Sequence, residues 1–74
     1  MSKLPIVSGK ETIKKLEKIG YVVVRKKGSH VRLCPSNNLK LKSITIPLHK
    51  CLKFGLLHHI LKDANLSAEE FKKL

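Results

Sequence analysis

The chain has 74 residues, 42% of them apolar, and carries 16 Lys and Arg against 5 Asp and Glu, for a formal charge of +11 and a pI of about 10.1. That composition can build one small core, so a single domain over 1–74 is expected, and the excess positive charge points to a polyanion, nucleic acid first, because each neutralised phosphate releases counterions. No apolar run approaches the ~18 residues of a membrane span, no secretory hydrophobic stretch follows the first residues, and two cysteines are too few for a disulfide scaffold, so the expected setting is a reducing cytoplasm with no membrane partner.

Ser8-Gly9-Lys10-Glu11 has the form of a capping box and opens a predicted helix with Ile13, Leu16 and Ile19 on one face, closed at Gly20. Its other face, with Lys10, Lys14, Lys15 and Lys18, reads as solvated and basic. Tyr21-Val22-Val23-Val24-Arg25 and Val31-Arg32-Leu33-Cys34 read as two strands. Lys26-Lys27-Gly28-Ser29 is the hairpin turn between them, with Gly28 supplying any positive φ. Pro35-Ser36-Asn37-Asn38 marks a polar turn, followed by Lys40 and Lys42 and a third strand, Ser43-Ile44-Thr45-Ile46, whose ladder Pro47 is expected to stop for want of an amide donor. After a connection over 48–53, Phe54, Leu57, Ile60, Leu61 and Ala64 follow helical spacing through Asp63, with Asn65 as the closing residue. One of His58 and His59 on that helix is expected to face solvent and the other to border the core. A second capping box, Ser67-Ala68-Glu69-Glu70, starts a final short helix whose Phe71 and Leu74 pack back on the body. The order is thus helix, three-stranded antiparallel sheet, helix, short C-terminal helix. It is an α+β two-layer sandwich with the layout of double-stranded-RNA-binding domains.

The feature that carries chemistry is Gly28-Ser29-His30. A histidine opening a strand beside a tight turn is held by the sheet, and as a residue type it titrates near neutrality, which suits proton transfer next to a phosphodiester. Arg25, Lys26, Lys27 and Arg32 surround it in sequence, and Arg32, two residues on, falls on the same strand face. RNA can be cut without a metal, since its own 2′-hydroxyl attacks the adjacent phosphorus when a base takes the proton, an acid protonates the 5′-oxygen and cations stabilise the phosphorane. His30 can act as base or acid, and His49 is the best candidate for a second proton-transfer group. Ser29 is expected to shape the turn, since Ser and His adjacent on a strand point to opposite sides and no buried acid completes a hydrolase triad. Cys34, His49, Cys51 and His58 or His59 lack the spacing of a zinc site, so no metal and no cofactor is expected.

Taken in order, Lys3-Leu4-Pro5, Ser8-Gly9-Lys10-Glu11, Leu16-Glu17-Lys18-Ile19-Gly20, Arg25-Lys26-Lys27-Gly28-Ser29-His30, Ile46-Pro47-Leu48-His49-Lys50 and Gly55-Leu56-Leu57 running into Ile60-Leu61-Lys62-Asp63-Ala64-Asn65-Leu66-Ser67 form a pattern. It resembles the HicA toxins, small mRNA interferases of bacterial and archaeal toxin–antitoxin pairs with a double-stranded-RNA-binding-like fold. The resemblance implies that His30 is the catalytic residue of a metal-independent endoribonuclease acting on mRNA, in a type II toxin–antitoxin pair. Lys26, Lys27, Gly28, Ser29, Arg32, His49 and Lys50 are the expected RNA contacts. It also implies a HicB-type antitoxin that masks the basic face with an acidic surface. Where the family commonly has Gly-Thr-Leu, this chain has Gly55-Leu56-Leu57, so either Gly55 caps the second helix or that helix starts earlier. The alternative, from a different class, is a non-catalytic RNA-binding module in which His30 only touches a 2′-hydroxyl or phosphate. A DNA-binding domain is disfavoured because no helix-turn-helix signal is visible.

Overall fold

The computed structural model describes residues 4–36 and 41–74. The expected turn residues Asn37 and Asn38, together with Lys3 and Lys40, lie outside the described residues. Helix α1, Gly9–Lys18, starts at a complete capping box, in which Ser8 Oγ accepts from Glu11 N–H at 3.0 Å and Glu11 Oε1 accepts from Ser8 N–H at 3.2 Å. Two of the orphan donors at the helix start are satisfied in this way. Strand β1, Tyr21–Lys27, strand β2, His30–Pro35, and strand β3, Ile44–Pro47, form one antiparallel sheet in the order β1-β2-β3. Helix α2 is Phe54–Asp63 and helix α3 is Ala68–Lys72. The architecture is therefore α+β, with an open three-stranded sheet and helices on one side of it.

Alternation along the central strand explains the two layers. Val31 and Leu33 of β2 are buried with Ile44 and Ile46 of β3, while His30, Arg32 and Thr45 between them are exposed. Ile13 and Leu16 from α1, Leu57, Ile60 and Leu61 from α2, and Phe71 from α3 complete the core on the inner face. Each fully buried Leu, Ile or Phe contributes about 1.5–3 kcal/mol relative to exposure. Among the described residues nothing comparable covers the outer face, which is therefore available to a partner.

At the second helix the structure has the earlier of the two expected starts: α2 begins at Phe54 and not at a Gly55 cap, and Lys53 is extended at the N-cap and makes no side-chain capping bond. Its end follows expectation, with Asn65 left-handed at φ 57. Leu66 N–H donates to Leu61 O at 2.9 Å and Asn65 N–H to Lys62 O at 3.1 Å, a Schellman closure. The expectation that one of His58 and His59 borders the core is corrected, since both are exposed. The buried stripe of Leu57, Ile60, Leu61 and Ala64 leaves both on the solvent side, and His59 Nε2 lies 3.5 Å from Asp63 Oδ2 one turn on. Pro47 ends the ladder as expected, standing in register with His30 as the last residue of β3.

The third helix closes the body as expected. Ser67 and Glu70 form the second capping box, Phe71 is fully buried, and Lys15 Nζ reaches across from α1 to donate to Leu74 O at 2.8 Å, lying 5.3 Å from the centroid of the Phe71 ring.

Candidate nucleic-acid interface

The hairpin that carries His30 is a two-residue turn, with Lys27 and His30 directly paired and Gly28-Ser29 between them. Gly28 has φ 60, a left-handed value that an L side chain adopts only at a cost, which is why glycine suits the first position of this turn. Ser29 shapes the site through its main chain: its carbonyl accepts from Leu48 N–H at 2.6 Å, fastening the turn to the residue just past β3. On the far side of that junction, Gly9 N–H donates to His49 O at 2.9 Å and Leu52 N–H to Val7 O at 2.8 Å. The end of the sheet bearing His30 is thus tied to the start of α1.

Strand β1 does not alternate regularly. Val23 pairs with Leu33 and Arg25 pairs with Arg32, so Val24 is the extra residue of a β-bulge. The consequence is chemical. With an unbroken ladder from buried Tyr21, Arg25 and Lys27 would share the inner face; the bulge turns both outward, beside Arg32 and His30. Lys26 is sent to the opposite side, paired with core-facing Val31.

The outer face therefore carries two successive rows. Lys27, His30 and Pro47 make the first, and Arg25, Arg32 and Thr45 the second. Arg25, Lys27, His30, Arg32 and Thr45 line a shallow depression of about 180 Å³. All five are exposed. None is acidic, and all five acidic side chains of the chain stand on helices: Glu11 and Glu17 on α1, Asp63 on α2, Glu69 and Glu70 on α3. Chemically, the depression offers an imidazole able to take or give a proton within a field of three fixed cations.

Of the residues expected from sequence to contact RNA, Lys27 and Arg32 join His30 in this depression. Gly28 and Ser29 build the turn at its edge, His49 and Lys50 lie on the exposed connection after β3, and Lys26 is turned away. Thr45 was not singled out by sequence; its place between buried Ile44 and Ile46 marked it as outward-facing, but only the β2–β3 register sets it beside Arg32. Cys34 Sγ lies 3.2 Å from Ser43 Oγ, and Cys51 is exposed on the connection. Among the described residues, no three His, Cys, Asp or Glu side chains gather as a metal site would require.

A family model described as the HicA toxin of bacterial toxin–antitoxin systems matches residues 9–66, from the first residue of α1 through the Schellman closure of α2. The chain belongs to the HicA toxin family. The match includes both rows of the outer face, and α3 lies beyond it. No curated protein matched the chain. Membership in the HicA family makes this the toxin component of a toxin–antitoxin system, with an antitoxin as its partner. No helix among the described residues is long and apolar enough to cross a membrane.

Proposed function

We propose that this HicA-family toxin is a metal-independent endoribonuclease that cleaves mRNA, with His30 as its catalytic residue. The observation that supports this most is the placement of His30: exposed at the start of β2, directly opposite Lys27 and one row from Arg25 and Arg32, with no carboxylate in the depression. In the reaction, the 2′-oxygen forms a bond to the adjacent phosphorus and the bond from phosphorus to the 5′-oxygen breaks, leaving a 2′,3′-cyclic phosphate and a 5′-hydroxyl. One proton leaves the 2′-hydroxyl and one arrives at the 5′-oxygen, and His30 moves a proton at one of these two oxygens. The Lys27 ammonium, opposite it, stabilises the charge that accumulates on the phosphorane. The attacking nucleophile belongs to the substrate, so the chemistry calls for no metal-bound water.

The partner is an antitoxin of the HicB type, with an acidic surface that covers the two basic rows and shields His30. His49 and Lys50 extend the contact with RNA beyond the depression through phosphate attraction, while Lys26, on the opposite side of the sheet, adds only to the general positive field. The test is cleavage of RNA by purified protein in excess chelator, with wild type and His30→Ala side by side. Cleavage by the wild type and none by a folded His30→Ala is the expected result. Equal cleavage by both, or activity that needs a divalent ion, overturns the assignment.

A further inference from the structure

Two arginines face each other on the outer surface without a carboxylate between them. Arg25 and Arg32 are register partners across β1 and β2. Side chains directly opposite in an antiparallel pair have Cβ atoms about 4.5–5.5 Å apart, and like charges in that relation are destabilising. Solvent and salt weaken the repulsion without reversing its sign. The repulsion is also a product of the local geometry, because only the bulge at Val24 brings Arg25 to this face. Such an arrangement becomes favourable when an anion sits between the two guanidinium forks, and a phosphate can accept from both. Thr45, on the other side of Arg32, adds a hydroxyl to the same row.

The spacing says which phosphate. Residues two apart on a strand are about 6.6 Å apart along it, a distance comparable to the step between successive phosphates of an extended single strand. The row of Lys27 and His30 and the row of Arg25, Arg32 and Thr45 are related by that step along β2. Resting on the reading of His30 as catalytic, we propose that Arg25, Arg32 and Thr45 seat the phosphate immediately next to the scissile one, so that two consecutive linkages of single-stranded RNA lie along β2. Arg25 and Thr45 are then substrate-positioning residues. The seat reads the backbone through its phosphate, and no Phe, Tyr or Trp stands on this face beside it: Tyr21 and Phe71 are buried and Phe54 is at the start of α2.

The test couples protein to substrate. A short RNA with one cleavable linkage, all other sugars being 2′-deoxy, is made with a neutral methylphosphonate at the neighbouring linkage on either side. Cleavage is compared for wild type, Arg25→Gln, Arg25→Lys and Thr45→Val. Neutralising the seated neighbour removes a charge-assisted hydrogen bond and lowers the wild-type kcat/KM by roughly tenfold or more. In Arg25→Gln the same methylphosphonate then costs clearly less than in wild type, because one of the two guanidinium partners is already gone while Arg32 remains. Arg25→Lys keeps the charge but not the fork and falls between the two. Thr45→Val shows a smaller loss of the same kind. The coupling is measured in parallel on Kd with a fully 2′-deoxy strand, which binds but cannot react. Coupling in Kd without any cleavage leaves the seat standing and removes the catalytic reading. Cleavage that depends on His30, with methylphosphonates costing Arg25→Gln as much as wild type at both neighbours, removes the seat.

Discussion

Replacing Gly9 with alanine should destabilise the fold more than any other glycine-to-alanine change outside a turn, although Gly9 begins a helix and alanine is the better helix former. A Cβ at Gly9 would run into the Pro47 carbonyl oxygen and stand 2.9 Å from the Pro47 carbonyl carbon and 3.1 Å from Leu48 Cα. All three are main-chain atoms and cannot swing aside, so α1 must move off the end of β3. Overpacking of this kind costs about 1–3 kcal/mol, and the displaced Gly9 N–H to His49 O bond at 2.9 Å adds about 1 kcal/mol. The gain in helix propensity is below about 1 kcal/mol and smaller still in the first turn. The net loss is about 2–3 kcal/mol, which for a chain of this size lowers Tm by roughly 10–20 °C. Far-ultraviolet circular dichroism during thermal and urea unfolding measures it. Gly55→Ala is the control: no atom lies within 4 Å of its added Cβ, so it should melt at or above the wild-type temperature. A Gly9→Ala protein melting within about 3 °C of wild type contradicts the close approach of α1 to the Pro47-Leu48 main chain.

Tyr21 hydroxyl donates to Lys42 O at 2.9 Å, and Tyr21→Phe should cost about 1 kcal/mol in urea unfolding. Burial first, and the negative charges of Asp63 and Cys34 second, push the Tyr21 phenol above its ordinary value. Its neutral form thus stabilises the fold below the unfolded tyrosine pKa, and that contribution is lost as pH rises through the folded one. Tyr21 is the only tyrosine, so near-ultraviolet absorbance follows it directly, and titration at or below the ordinary value would refute the packing described. The main-chain hydrogen bond from Ser67 first, its side-chain bond second and the charge of Lys73 last hold the Glu70 carboxyl below the ordinary glutamate value. The second capping box is therefore intact above the unfolded glutamate pKa and lost as pH falls through the lowered one. An NMR titration finding Glu70 at the ordinary value would show that the box does not persist in solution.

Local rules explain why much of this fold was legible. Both capping boxes, the hairpin at Gly28, the C-terminal bound of α2 and the outward placement of Arg32 beside His30 follow from spacing within a few residues, and the structure has each of them. What sequence did not disclose depends on partners distant along the chain. The Val24 bulge leaves no mark in a run of three valines, yet it exchanges the faces of Arg25, Lys26 and Lys27, so Lys26 and not Arg25 stands among the RNA contacts expected from sequence. Thr45 needed the β2–β3 register. The N-terminus of α2 lacked a side-chain cap to announce it. Both α2 histidines are exposed because the inward stripe is narrow, a point the helical spacing already contained. The resemblance of the segments around Gly28-Ser29-His30 to HicA toxins holds at family level over residues 9–66.

The central claim is that His30 moves a proton while the RNA supplies its own nucleophile. The most direct test is the chemistry of the cut ends, read by mass spectrometry after single-turnover cleavage of a short RNA and of the same RNA with a 2′-deoxy sugar at the cleavage position. A 2′,3′-cyclic phosphate and a 5′-hydroxyl, no cut at the deoxy linkage and no products with His30→Ala are the expected results. Cleavage of the deoxy linkage, or a 5′-phosphate at the cut end, would show that water and not the 2′-hydroxyl attacks, and the role given to His30 would be wrong.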